Sequence, residues 1–259
     1  MLASPRIGKG DRVDRSGITF DFHDTLAHCD RWFDLEVRHL VSAYLRWRAA
    51  AAGLAFDEAA GADADAAYRR LRLAIMDHGR EETAERCVAI VLDELGFPAE
   101  PGPIDAGVEH LMRGALADAA PTAGAVATVT AIADAGVPRG SVSCAVHHPF
   151  LEWTLERFGI RDRFSHITTS ASAGYYKSRP EIYWHATDHL GLDPERTVHI
   201  GDSARWDVAG ARRAGLRPVW LRRHAETVND TGIEPELVIG SLEGAAPAIL
   251  GLLRPGAAT

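Results

Sequence analysis

The pattern begins at Gly17-Ile18-Thr19-Phe20-Asp21-Phe22, where β-branched and aromatic residues run without helical spacing and read as a buried strand. Helical periodicity follows. Phe33, Val37, Leu40, Val41, Tyr44 and Leu45 recur at three- and four-residue intervals across 31–48, and a weaker repeat covers 63–76. Ala84, Cys87, Val88, Val91, Leu92 and Leu95 form a third set that ends before Gly96 and Pro98. Pro98-Ala99-Glu100-Pro101-Gly102-Pro103 reads as a loop, and 28–120 is expected to be helical with no strand of its own. From Pro121 the two periods alternate: helix 123–135, strand 139–143, helix 149–158, strand 164–168, helix 180–190, strand 197–201, helix 205–214, strand 217–221, strand 236–240, and a closing helix to Leu253. Single helices between strands require right-handed crossovers and predict an α/β fold, a doubly wound parallel sheet that also takes in the first strand. The expected organisation is a flexible leader (1–16), a core domain (17–27 and 121–259) and a helical cap domain (28–120) inserted into it.

Composition narrows the function. The 259 residues are 46% hydrophobic and 25% charged, which excludes general disorder. A net charge of −8 with scattered arginines offers no basic stripe, so nucleic acid is not an expected partner. No apolar run is long enough to span a bilayer, and the charged leader lacks an apolar signal core, so no membrane partner is expected either. Cys29, Cys87 and Cys144 make an odd count without metal-ligand spacing, which suits reduced thiols and a cytoplasmic location. The histidines, among them His147, His148, His185 and His189, show no tetrahedral set and read as surface or half-buried bystanders. Nothing in the pattern fixes an oligomeric state.

The carboxyl ends of parallel strands open onto the crevice where ligands bind. On the predicted topology one rim collects Asp21 and His23 after the first strand, Ser143 at the end of the second, and Lys177 in the loop after the third. Asp202 follows the fourth, with Asp207 on the next helix. Three carboxylates in one crevice repel each other unless a cation joins them, and hard oxygen ligands point to Mg²⁺. A hydroxyl and a lysine aimed at the same place suit a tetrahedral dianion, and phosphate is the natural guest.

From about Gly17 to the last helix, the sequence resembles the haloacid dehalogenase superfamily. The family's D-x-D-x-T motif is matched by Asp21-Phe22-His23-Asp24-Thr25, and its strand-ending Ser or Thr by Val142-Ser143. Its lysine before a helix is matched by Lys177-Ser178-Arg179-Pro180, and its G-D-S-x-x-x-D by Gly201 to Asp207. A helical insertion after the first motif is similar to the family's helical-cap group. The resemblance implies that Asp21 attacks phosphorus and forms an aspartyl phosphate, which water hydrolyses. It implies Mg²⁺ held by the Asp21 side chain, the His23 backbone carbonyl and Asp202, with Asp207 orienting that set. Ser143 and Lys177 would hold the phosphoryl oxygens, Thr25 would join the substrate-binding set, and the cap would close over the substrate. The implied function is a Mg²⁺-dependent phosphatase of a small phosphorylated metabolite.

His23 departs from the pattern, because family phosphatases have an Asp there to protonate the leaving alkoxide and then deprotonate water. Histidine titrates near working pH and can do both, which is the preferred reading. Packing beneath the cap with slow turnover, or another chemistry, are the alternatives. Dehalogenases of 2-haloacids also replace this Asp, but they need no metal and lack the fourth motif's first acid; Asp202 favours the phosphatase. Trp206, which also resembles them, is expected to pack under the sheet. A third reading, a binding protein that hydrolyses little, rests on His23 alone. In the insertion, Arg46, Arg48, Arg69, Arg70, Arg72, Arg80 and Arg86 are candidates to read a second acidic group, and His28, Trp32 and Phe33 to line the entrance.

Overall fold

The computed structural model describes residues 15–254, so all but the last two residues of the expected leader lie outside the described residues. The chain enters at β1 (Gly17–Phe20), which is buried along its whole length. Then come β2 (Ala27–His28), α1 (Asp30–Asp34), a π-helical stretch at Leu35–His39 and α2 (Leu40–Ala51). α3 (Glu58–His78), α4 (Ala84–Glu94), α5 (Pro101–Ala115) and β3 (Ala120–Pro121) follow. The alternating part comprises α6 (Ala125–Asp134), β4 (Arg139–Ser143), α7 (His148–Arg157), β5 (His166–Thr169), α8 (Ser170–Ala173), α9 (Glu181–Leu190) and β6 (Thr197–Gly201). A second π-helical stretch, Ala204–Val208, runs into α10 (Ala209–Arg213), and β7 (Arg217–Leu221), β8 (Leu237–Ile239) and α11 (Ala246–Gly251) complete the described fold.

The main sheet has the order β5-β4-β1-β6-β7-β8, and every neighbouring pair is parallel. This is the expected α/β doubly wound sheet. Its strand order reverses at β1, which lies between β4 and β6, and a crevice opens there above the carboxyl ends. Ile18, Phe20, Val198, Ile200 and Val219 are fully buried, as strands covered by helices on both faces require. Among the described residues no helix is long and apolar enough to cross a membrane.

Between β2 and β3 the chain is a block of packed helices. Asp57 caps α3 by accepting the Ala59 and Ala60 N–H groups, Gly79 ends it at φ +73, and the Thr83 hydroxyl caps α4. Two expectations are corrected here. The Pro98–Pro103 loop stops at Glu100, because Pro101 and Pro103 lie in the first turn of α5, where a missing N–H costs no helical bond. Ile104, Val108, Met112 and Ala115 then bury one face. Nor is 28–120 free of strand: His28 and Ala120 belong to the antiparallel pair Ala27↔Pro121, His28↔Ala120, which ties the two necks of the insertion together.

Candidate active site

The turn after β1 is wound around one carbonyl. Phe22 O accepts the N–H groups of Thr25, Leu26 and Ala27 at 3.3, 2.8 and 2.9 Å, and the Asp24 N–H reaches Ala27 O at 2.8 Å. Closing the turn puts Asp24 at φ +56, a left-handed conformation that Asp tolerates better than most residues. Phe22 therefore points into the core, against Trp32 and Phe150, while Asp21 and His23 reach the crevice. The Asp21 N–H donates to Ile200 O at 2.8 Å, which fixes the end of β1 against β6 and the Asp202 turn.

Carboxylate oxygens of Asp21, Asp202 and Asp207 all lie within 4.8 Å of one another. Lys177, 2% exposed, donates from Nζ to Asp21 Oδ1 and, at 2.6 Å, to Asp207 Oδ1. Asp207 Oδ2 accepts the Ser203 N–H at 2.9 Å, and His199 Nε2 lies 3.1 Å from Asp207 Oδ1. Gly201 belongs to the same packing, since a Cβ there would stand 2.2 Å from Asp207 Cγ.

The charges do not balance. Burial favours the neutral form of Asp207, yet Lys177 and His199 outweigh it and hold that carboxyl well below the usual range. Burial raises Asp21 to about 6 despite Lys177. Asp202 is pushed up to about 8 by burial and then by Asp21 and Asp207, with Lys177 a minor opposing influence. One ammonium serves three acids, so the donor set fits a hard divalent cation with oxygen ligands.

A cavity of about 330 Å³ opens over this cluster. Of the expected site residues, Asp21, His23, Ser143, Lys177, Asp202 and Asp207 all line it. Thr25 does not: it is fully buried, and its hydroxyl donates to Asp21 Oδ2 at 3.3 Å, so it orients Asp21 instead of meeting a substrate. His23 is both packed and available. Its ring stacks on Phe33 with centroids 4.4 Å apart and planes 10° apart, its Nδ1 lies 3.5 Å from Asp24 Oδ2, and its Nε2 is buried without a hydrogen-bond partner among the described residues. Burial lowers its pKa, with the Asp24 carboxylate opposing.

Trp206 extends another expectation. It packs against the hydrophobic core, edge-on to Tyr176 at 5.3 Å, and also lines the cavity, a role the expectation did not include. The π-helical stretch holds it there: its N–H donates to Ser203 Oγ at 3.1 Å, and its carbonyl accepts from the Tyr183 hydroxyl at 2.6 Å.

Of the candidate arginines, Arg72 is buried and lines the cavity. It is already engaged, with Nη1 2.5 Å from Glu81 Oε1 and Nη2 3.4 Å from Glu36 Oε1. Across the interface the Val146 N–H donates to both Glu36 oxygens at 3.0 and 3.1 Å, and Ser170 Oγ donates to Glu81 Oε2 at 2.7 Å. Burial pushes Glu36 up to about 8 against the pull of Arg72. This clamp between insertion and sheet was not anticipated from the sequence. Its signal was a charge on an apolar face: Glu36 falls among Phe33, Val37 and Leu40, and Arg72 between Tyr68 and Ile75. Trp32 stacks on Phe150 and also lines the cavity, so its core role and its pocket role coincide.

The chain is similar in sequence and fold to known proteins. A glyceraldehyde 3-phosphate phosphatase of Methanopyrus kandleri is 27% identical over 207 residues, covering 80% of this chain and 83% of the relative. A pyrimidine 5'-nucleotidase of Escherichia coli is 30% identical over 173 residues, 64% of this chain and 68% of the relative. Among solved structures, a 2-haloacid dehalogenase of Pseudomonas syringae pv. Tomato superposes with a TM-score of 0.67 at 21% identity, covering 92% of this chain and 98% of the other, which speaks to the fold alone. The family model described as haloacid dehalogenase-like hydrolase matches residues 16–215, and the chain belongs to that family of hydrolases.

Proposed function

We propose that this hydrolase is a Mg²⁺-dependent phosphatase of small phosphorylated metabolites that works through an aspartyl phosphate on Asp21. The observation that carries the reading is the unbalanced cluster, in which Lys177 bridges Asp21 and Asp207 and Asp202 stands beside them with no cation paired to it among the described residues. Two relatives, one named a glyceraldehyde 3-phosphate phosphatase and the other a pyrimidine 5'-nucleotidase, support it. Asp21, Asp202 and the His23 carbonyl would hold the ion, with Asp207 orienting them. Bound there, Mg²⁺ supplies positive charge to the phosphoryl oxygens.

The protein's own groups carry the steps. An Asp21 oxygen attacks phosphorus, and the new O–P bond forms as the bond to the leaving alkoxide breaks. Lys177 and Ser143 hold the equatorial oxygens, so the charge that builds up there meets fixed donors. His23 gives a proton to the alkoxide, then takes one from the water that attacks the aspartyl phosphate, which regenerates Asp21 and releases phosphate. Thr25 orients Asp21. The insertion over 28–120 acts as the cap domain that excludes water, and the free thiols of Cys29, Cys87 and Cys144 suit a cytoplasmic location.

The test is phosphate release from an aryl phosphate and a panel of phosphorylated metabolites, with Mg²⁺ or EDTA. Magnesium-dependent release is expected. Halide release from 2-chloropropionate in EDTA, with no phosphate release, would move the chain to the dehalogenases.

A further inference from the structure

Three histidines converge at the opposite rim of the sheet. His166 begins β5 and pairs in register with Gly140, whereas Thr169 pairs with Ser143 at the crevice end. The strands being parallel, His166 sits at the amino end of the edge strand, a strand's length from the carboxylate cluster. His185 and His189 are one turn apart on α9, so both face the same way, toward His166. The His166 and His189 rings stack with centroids 4.4 Å apart, and those of His185 and His189 are 4.2 Å apart.

Their nitrogens gather in one place. One ring nitrogen of each residue lies within 4.8 Å of the other two. His189 Nδ1 is 2.8 Å from the His185 carbonyl oxygen, so it carries the proton and leaves Nε2 with a free lone pair, as metal-bound histidines commonly do. His166 Nε2 and His185 Nδ1 are buried with no hydrogen-bond partner among the described residues. Buried polar atoms ordinarily find partners, and two orphaned nitrogens beside a third of fixed tautomer call for an unfilled ligand. Burial lowers His166 to about 4 and lowers His185 too, so these rings are in the neutral form that ligates. His189 is exposed and gives access from solvent.

We propose that His166, His185 and His189 bind a divalent first-row transition ion, Zn²⁺, at a second metal site separate from the crevice. Three imidazoles without a carboxylate select Zn²⁺ over Mg²⁺, and water takes the open fourth position. Binding requires the stacked rings to turn so that their nitrogens converge on the ion at about 2.0–2.1 Å. The ion joins α9 to the edge strand, so its binding stabilises the fold without entering the reaction.

Chelator-stripped full-length protein is titrated with Zn²⁺ by calorimetry and with Co²⁺ by visible absorption, alongside Asp202→Asn, His185→Ala and His189→Gln variants. His189→Gln changes an exposed side chain and leaves the core packing alone. Wild type and Asp202→Asn should both show a micromolar or tighter site and intense tetrahedral Co²⁺ bands. His185→Ala and His189→Gln should lose those bands and bind Zn²⁺ at least about tenfold more weakly at that site, while His189→Gln keeps its Mg²⁺-supported turnover. The same Zn²⁺ stoichiometry and affinity in His189→Gln as in wild type, or only millimolar binding in wild type, would overturn the site.

Discussion

Asp202 makes the cation in the crevice testable without knowing a substrate. Its carboxyl titrates near 3.8 in the unfolded chain and is pushed up to about 8 in the fold. Between those values the folded protein keeps a proton that the unfolded chain has lost. Stability from this group is therefore full below pH 3.8 and falls away as pH rises to 8. At about 1.4 kcal/mol per unit the metal-free loss is at most roughly 6 kcal/mol. Asp21, raised to about 6, adds a smaller loss of the same sign that is complete earlier, whereas Asp207 is already ionised throughout and contributes no slope. A divalent ion reverses the balance, because ionised Asp202 becomes a ligand. Thermal unfolding in EDTA and in Mg²⁺ at pH 5.5, 7 and 8.5 reads this directly. The Mg²⁺ increment in Tm should be small at pH 5.5 and on the order of 10 °C at pH 8.5, using about 2–4 °C per kcal/mol for a chain of this size. Asp202→Asn should flatten the EDTA curve and remove most of the increment. An increment that ignores pH, or that persists in Asp202→Asn, would refute the reasoning.

Three further outcomes follow from the geometry. Asp21→Asn should abolish phosphate release while circular dichroism stays native, and retained turnover would remove Asp21 as the nucleophile. His23→Ala should slow kcat by about 10²- to 10⁴-fold; because burial lowers the His23 pKa, kcat/KM should decline as pH rises from below 6.5, and a flat profile would assign the ring to packing against Phe33. Arg72→Met leaves Glu36 and Glu81 buried without a cation, which should cost on the order of 3–5 kcal/mol, read as a lower urea midpoint; an unchanged midpoint would show that the clamp contributes nothing.

The sheet was legible from short β-branched and aromatic stretches set off by Gly and Pro, such as Ile18–Phe20 and Val219–Leu221, and from their alternation with helices, since β4 and β5 are mostly polar. Asp21, Ser143 and Asp202 were legible because each stands at or just past a strand's end, whereas Lys177, in the loop that follows β5 and α8, and Asp207, in the π-helical stretch after β6, were legible through the order and spacing of the motifs. Elements carried by few residues were not: β2 and β3 have two residues each, too few to show alternation. The first turn of α5 was hidden by Pro101, Gly102 and Pro103, the same residues that start a helix well. Thr25's role and the cavity role of Trp206 were missed for a different reason. Which way a side chain leaves a tight turn or a π-helical stretch depends on hydrogen bonds such as Phe22 O to Leu26 N–H or Ser203 Oγ to Trp206 N–H. The histidine cluster was half visible, in the one-turn spacing of His185 and His189, but only the pairing of β5 brings in His166.

Both buried charge clusters obey the same rule, that a desolvated charge needs a full set of partners, and they differ in whether the rule is met. In the clamp, Arg72 spans Glu36 and Glu81, the Glu36 oxygens take the Val146 N–H, and the Glu81 oxygens take the Ser170 hydroxyl and the Glu82 N–H. Every acid there has a partner, and the set can hold the helical insertion on the sheet with nothing added. In the crevice, Lys177 satisfies Asp21 and Asp207, while among the described residues no hydrogen bond or ion pair reaches the Asp202 carboxylate. A structural cluster would have been completed by the protein itself, as the clamp is. The incomplete one lies on the wall of the cavity, open to solution, and on the proposed reading a cation, and then a phosphoryl group held between it and Lys177, would complete it.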